Sequence, residues 1–123
     1  MKLSFEWQEI FLKYADYFFI VEGKKDVESL NSVGFDRVFV LNKPGISLKE
    51  RIEEIVSFVE KKDVVCILTD FDKKGKQLYF ILKREFQTLG VRLDCSLRGI
   101  LLRAGVSHIE GLDSFMERLG RKG

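Results

Sequence analysis

This sequence is poor in the residues that build thiol and imidazole metal centres. It has two cysteines, Cys66 and Cys95, with no Cys-x-x-Cys spacing, and His108 is its only histidine. A zinc site is not expected from such a set. Both cysteines sit in apolar surroundings and read as reduced core thiols. No apolar run approaches the ~20 residues that cross a bilayer, so no membrane partner is expected. The first residues, Met1-Lys2-Leu3-Ser4-Phe5-Glu6, lack a signal-peptide core, and the default expectation is a cytoplasmic protein. Proline occurs once, at Pro44. There is no linker, low-complexity segment or solenoid-type repeat. Neither sign of charge dominates: 21 basic side chains face 19 acidic ones, for a net charge of +2. Where the charges fall therefore matters more than their sum.

Present in quantity are apolar residues, 46% of the chain, and charged ones, 33%. Together with 123 residues they describe one globular domain with a core that needs no staples. Leu3, Trp7, Ile10, Phe11 and Tyr14 fall at helical spacing, so residues 1–16 are expected to form an N-terminal helical extension. Tyr17 to Val21 is a continuous apolar run, as expected of a strand buried on both faces. A short helix marked by Val27, Leu30 and Val33 follows, with Gly34 as its C-terminal cap. Val38 to Leu41 is a second strand. Ser47-Leu48-Lys49-Glu50 fits a capping box, opening a helix with the stripe Leu48, Ile52, Ile55, Val56 and Val59. Val64 to Leu68 is the third strand. The next helix should turn Leu78, Ile81, Leu82, Phe86 and Leu89 inward and stop at Gly90. Val91 to Cys95 is a weaker edge strand, and residues 96–111 show little pattern. Leu112, Phe115, Met116 and Leu119 mark a last short helix, ending before Gly120 and a charged tail. Strands alternating with helices imply an α/β fold, a roughly four-stranded parallel sheet covered on both faces.

In such a sheet, sites form past the carboxyl ends of strands, where strand order reverses. Glu22, Asn42, and Asp70 with Asp72 all fall there. Three carboxylates on one rim repel one another, and a divalent ion held by Asp70, Asp72 and Glu22 together relieves that. Mg²⁺ takes hard oxygen donors and leaves positions for phosphate oxygens; Mn²⁺ is the alternative ion. Asp72 can equally be read as the N-cap of the helix beginning near Lys73, and Asp70 as a turn residue. Lys73, Lys74 and Lys76 crowd one helix start, and Lys24 and Lys25 another. The macrodipole disfavours cations there, whereas an external phosphate is favoured at both. Solvated surface lysines are the plainer reading. Arg98 and Arg103 could extend the basic surface. No aromatic platform for stacking bases is evident, and the aromatics read as core.

Val21-Glu22-Gly23-Lys24-Lys25-Asp26, followed by Leu68-Thr69-Asp70-Phe71-Asp72-Lys73-Lys74-Gly75, resembles the Toprim domain, over residues 17–119. That domain is shared by topoisomerases, bacterial-type primases, several nucleases and recombination-repair proteins. The small stand-alone form is most similar to the nuclease that matures 5S rRNA and to primase-type Toprim domains. The resemblance implies a Rossmann-like Toprim fold. It implies Glu22 as general acid/base or metal-organising group, Asp70 and Asp72 as metal ligands, Gly23 and Gly75 as glycines of the phosphate-side turns, and Asp26 as a supporting acid. Ile109-Glu110-Gly111 is similar to a late Val-Glu element of the nuclease-like branch. Phe71 departs from the family, standing where some relatives carry proline or a small residue. Nothing matches a topoisomerase tyrosine domain or a primase zinc module.

The expected function is Mg²⁺-dependent phosphodiester chemistry on nucleic acid, DNA or RNA, in a nuclease-like enzyme. The alternatives are a non-catalytic nucleic-acid-binding or assembly module and primase-like nucleotidyl transfer. A chain this small has little surface to grip a long substrate, so a protein or ribonucleoprotein partner is a further expectation. A signalling receiver domain fits the size and element order. It requires an acidic pair after the first strand, however, and here the pair follows the third.

Overall fold

A computed structural model describes the backbone of residues 3–122 and the side chains through residue 120. Met1 and Lys2 of the expected extension, and the charged side chains of the tail after Gly120, lie outside the described residues. In chain order the elements are α1 (Phe5–Leu12), β1 (Phe18–Val21), α2 (Lys24–Ser32), β2 (Val38–Val40), α3 (Leu48–Val56), β3 (Val64–Ile67), α4 (Lys73–Thr88), β4 (Arg92–Leu93), α5 (Ser96–Ala104), a single 3-10 turn (Ile109–Gly111) and α6 (Leu112–Lys122).

The four strands form one parallel sheet in the order β2-β1-β3-β4. Side chains alternate across it, because successive residues of a strand point to opposite faces. Phe19, Val21, Cys66 and Leu68 enter one core with Phe11, Leu30, Phe35, Leu97, Leu101, Leu112 and Met116, which places α1, α2, α5 and α6 on that face. Ile20, Val65 and Ile67 enter a second core with Ile52, Ile55, Tyr79, Leu82 and Phe86, from α3 and α4. Complete burial of Leu30, Ile55 and Leu82 contributes about 1.5–3 kcal/mol of transfer free energy each. The central strands read as unbroken apolar runs because both faces are covered.

Local signals act where the sequence places them. The Ser47 hydroxyl accepts the Glu50 amide hydrogen at 3.1 Å, closing the first turn of α3. Gly90, at φ +80°, ends α4 in the left-handed conformation that side chains resist.

Four expectations change. Residues 96–111 hold a full helix, α5, and the 3-10 turn; Gly99 inside α5 and the short apolar stripe hid the period. Helix α6 runs through Gly120 to Lys122 instead of ending before it. On α4 the inward stripe is Tyr79, Leu82 and Phe86, while Ile81 and Leu89 are exposed. They flank an open groove against Leu48 of α3, since no further element covers that side. Finally, Phe5, Phe58 and Phe80 are exposed, so not every aromatic belongs to the core.

Candidate metal centre

From β1 the chain passes to the outer strand β2. Helix α3 then carries it back across β1 to β3, and the chain continues to β4 on the other side. Strand order therefore reverses between β1 and β3, which pair directly, Phe19 opposite Cys66. The loops leaving these two strands must emerge side by side at the carboxyl rim. One begins with Glu22 and the other carries Asp70 and Asp72.

The contact is direct. The Asp70 backbone amide donates to Glu22 Oε2 at 2.9 Å, so residues 48 apart in sequence are locked together. Asp70 Oδ1 accepts the Ile109 amide hydrogen at 2.9 Å. Asp72 Oδ1 accepts the Gly75 amide hydrogen at 2.7 Å, as the N-cap of α4. The capping reading of Asp72 is thus correct for one of its oxygens. Its other oxygen, Oδ2, lies 3.8 Å from Nε2 of His108. Each of the three acids spends one oxygen on a backbone amide, which fixes its orientation. The second oxygen of each accepts no hydrogen bond among the described residues.

Two features hold the Asp70 loop rigid. Gly75 is packed so tightly against it that an added Cβ would lie 2.1 Å from the Asp70 carbonyl oxygen. The Thr69 hydroxyl donates to the Gly75 carbonyl at 2.7 Å. Beneath the loop, Arg98 donates to the carbonyls of Thr69 and Asp70. Its guanidinium lies 4.5 Å from the ring centre of Phe71 and 4.4 Å from that of Tyr79. Arg98 is therefore a buried support and not part of a basic surface, which corrects the expectation for it; burial lowers its pKa. Arg103 is exposed. Phe71 is buried in the first core, which explains how a bulky residue stands between two loop acids.

Asp26 lies in the first turn of α2, and its carboxylate accepts the Gly23 amide hydrogen at 3.0 Å. Burial raises its pKa, and the nearby charges of Asp70, Glu22 and Glu110 raise it further, against the lowering effect of the Gly23 amide. Negative charge is thus concentrated at this rim. Gly23 differs from Gly75: an added Cβ would meet nothing within 4 Å. Asn42 is exposed, and its backbone amide donates to the Glu22 carbonyl at 3.2 Å. Lys24 and Lys25 begin α2, and Lys73, Lys74 and Lys76 lie in the first turn of α4. All five are exposed, and none has a hydrogen-bond or ion-pair partner among the described residues.

Sequence reasoning missed His108. Ligand atoms of Asp70, Asp72 and His108 lie within 4.8 Å of one another, the one group of this kind among the described residues. A lone histidine in an unpatterned stretch gives no signal of its own, and only the fold brings it to the rim.

A family model described as the Toprim domain matches residues 18–98. The chain belongs to the Toprim family. It is 35% identical over 104 residues to a UPF0292 protein of Methanocaldococcus jannaschii, spanning 80% of this chain and 77% of that one. A UPF0292 protein of Methanosarcina barkeri is 29% identical over 108 residues, spanning 84% and 71%. A solved structure of a protein from Aquifex aeolicus superposes with a TM-score of 0.71 at 26% identity, covering 85% of this chain and 94% of that one. Toprim domains typically bind divalent metals, and their function is in general metal-dependent and related to nucleic acid. No helix among the described residues is long and apolar enough to cross a membrane.

The donor set of this Toprim chain fits such an ion. It offers carboxylate oxygens, which hard divalent cations take. The orientations are fixed in advance by backbone amides.

Proposed function

We propose that this Toprim protein performs divalent-metal-dependent cleavage of phosphodiester bonds in nucleic acid, with Asp70 and Asp72 holding Mg²⁺ or Mn²⁺ and Glu22 managing the proton. The observation that carries this reading is the unbonded second oxygen on each of Glu22, Asp70 and Asp72, all at the switch point of the sheet. Bound there, the ion would polarise the phosphate and stabilise charge on the attacking and leaving oxygens.

The protein's own residues divide the remaining work. Glu22 Oε2 is committed to the Asp70 amide, so Oε1 is the oxygen available to accept a proton from an attacking water. The exposed lysines at the starts of α2 and α4, Lys24, Lys25, Lys73, Lys74 and Lys76, bind the backbone phosphates on either side, where both helix dipoles favour anions. Gly23, open above its Cα, leaves room for a phosphate beside the Glu22 loop. Asp26 and Asn42 hold that loop from behind. The working unit is residues 17–119, with residues 1–16 as an extension, in the cytoplasm. A protein or ribonucleoprotein partner adds the grip that a small surface lacks.

The test is a metal panel on DNA and RNA substrates, single- and double-stranded, with wild type and Asp70→Asn. Cleavage in Mg²⁺ or Mn²⁺ that the substitution abolishes, in a variant with an unchanged circular dichroism spectrum, is the expected result. Full activity of the variant would reject the assignment. Metal-dependent nucleic-acid binding with no cleavage of any substrate would replace the enzyme with a binding or assembly module.

A further inference from the structure

We infer that His108 is a third ligand of the ion held by Asp70 and Asp72, and that its imidazole makes the site favour Mn²⁺ over Mg²⁺. The inference rests on the metal-site reading above and adds the basis of ion choice.

His108 is the chain's only histidine, and two backbone contacts fix it in register with the Asp70–Asp72 loop. On one side the Phe71 amide donates to the Ser107 carbonyl at 3.1 Å. On the other the Ile109 amide donates to Asp70 Oδ1 at 2.9 Å. These bonds flank residue 108 and hold it opposite the two aspartates. The loop cannot slide by one residue without losing both.

The ring orientation agrees. His108 Nδ1 lies 3.1 Å from the Ser107 hydroxyl oxygen. With the proton on Nδ1, donated to Ser107, the Nε2 lone pair is left free. A hydrogen bond of this kind is how metal-bound histidines are usually oriented. Nε2 faces Asp72 Oδ2 at 3.8 Å, beyond hydrogen-bond range. A lone pair and a carboxylate oxygen facing each other at that distance gain nothing unless a cation joins them. The competing arrangements are the other tautomer, in which the Ser107 hydroxyl donates to Nδ1 and Nε2 carries the proton, and a protonated imidazole, either of them turning an N–H toward Asp72 with both side chains about half exposed.

The chemistry follows from the donor types. Mg²⁺ takes oxygen ligands almost to the exclusion of nitrogen; Mn²⁺ also prefers oxygen, but as a first-row transition ion it accepts an imidazole more readily. One nitrogen beside two carboxylates therefore gains more affinity for Mn²⁺ than for Mg²⁺.

Because the chain has one histidine, ¹⁵N-histidine labelling of the untagged protein marks residue 108 alone. Pulsed electron paramagnetic resonance of the Mn²⁺-loaded protein should show a nitrogen coupling that changes isotope with the label and vanishes in His108→Gln. Calorimetric titration should show His108→Gln weakening Mn²⁺ binding by about ten-fold or more, with a clearly smaller loss for Mg²⁺. No labelled coupling, or equal losses for both ions, would overturn the inference and leave the imidazole as an ion-pair partner of Asp72. Asp70→Asn separates the two levels. If it abolishes Mn²⁺ binding while His108→Gln does nothing, this inference alone fails. If it leaves Mn²⁺ binding intact, the metal-site reading itself fails.

Discussion

Replacing Gly75 with alanine tests whether the loop that carries both aspartates is shaped by backbone contact. By helix propensity alone the change should stabilise α4 by about 1 kcal/mol, since Gly75 is helical and its φ is not in the left-handed region. Packing opposes this. The new Cβ would lie 2.1 Å from the Asp70 carbonyl oxygen, 2.6 Å from its carbonyl carbon and 3.0 Å from its Cα. All three are backbone atoms, which cannot rotate away. A contact of about 3.0 Å is the least that carbon and oxygen tolerate, so helix and loop must part by roughly 0.9 Å. Overpacking of this kind costs about 1–3 kcal/mol. The separation also strains the Asp72 cap on the Gly75 amide and the Thr69 bond to the Gly75 carbonyl, each worth about 1 kcal/mol. The net expectation is a destabilisation of about 2–4 kcal/mol. In a domain this size that lowers the melting temperature by roughly 10 °C; on the metal-site proposal, Mn²⁺ binding weakens as well, because the displaced loop moves Asp70 relative to Asp72 at the start of α4. Gly23→Ala is the control: its Cβ meets nothing within 4 Å, and it should cost under about 1 kcal/mol. Urea denaturation of both variants, read by circular dichroism, decides the matter. A Gly75→Ala protein as stable as wild type would refute the packing argument.

Two further perturbations probe the supports of the site. Arg98→Met leaves the carbonyls of Thr69 and Asp70 without their buried donor and should cost about 3 kcal/mol in urea denaturation. Arg98→Lys should recover only part, because lysine lacks the planar fork; a methionine variant within about 0.5 kcal/mol of wild type would contradict the role. Asp26→Asn should stabilise the metal-free protein at neutral pH. Burial and neighbouring acids raise the Asp26 pKa on folding, so the folded chain holds that proton more tightly than the unfolded one. Wild-type stability therefore falls as pH rises through the folded-state pKa. The gap between the two proteins should close as pH drops below the ordinary carboxylate range; thermal melts in EDTA showing a gap that widens in acid would reverse the sign and sink the argument.

The sequence by itself determined the layered architecture. Unbroken runs such as Phe18–Val21 and Val64–Ile67 are stable only where both faces of a strand are covered, and parallel strands require helical crossovers. It also marked Glu22, Asp70 and Asp72, because acids that end apolar strands stand out against their neighbours. It could not say which strands are adjacent. The order β2-β1-β3-β4 alone brings Glu22 to the Asp70 amide, and that depends on the path of α3 across the sheet, not on any local pattern. Tertiary structure likewise decided that Arg98 lies under the loop and that His108 faces Asp72. Both sit in a stretch with weak periodicity, where one arginine or one histidine is ambiguous until another part of the chain is packed against it. The two glycines show the same division. Each stands beside a lysine pair in sequence, but only Gly75 lies against backbone, because closeness to a residue five positions earlier depends on how the turn between them is folded.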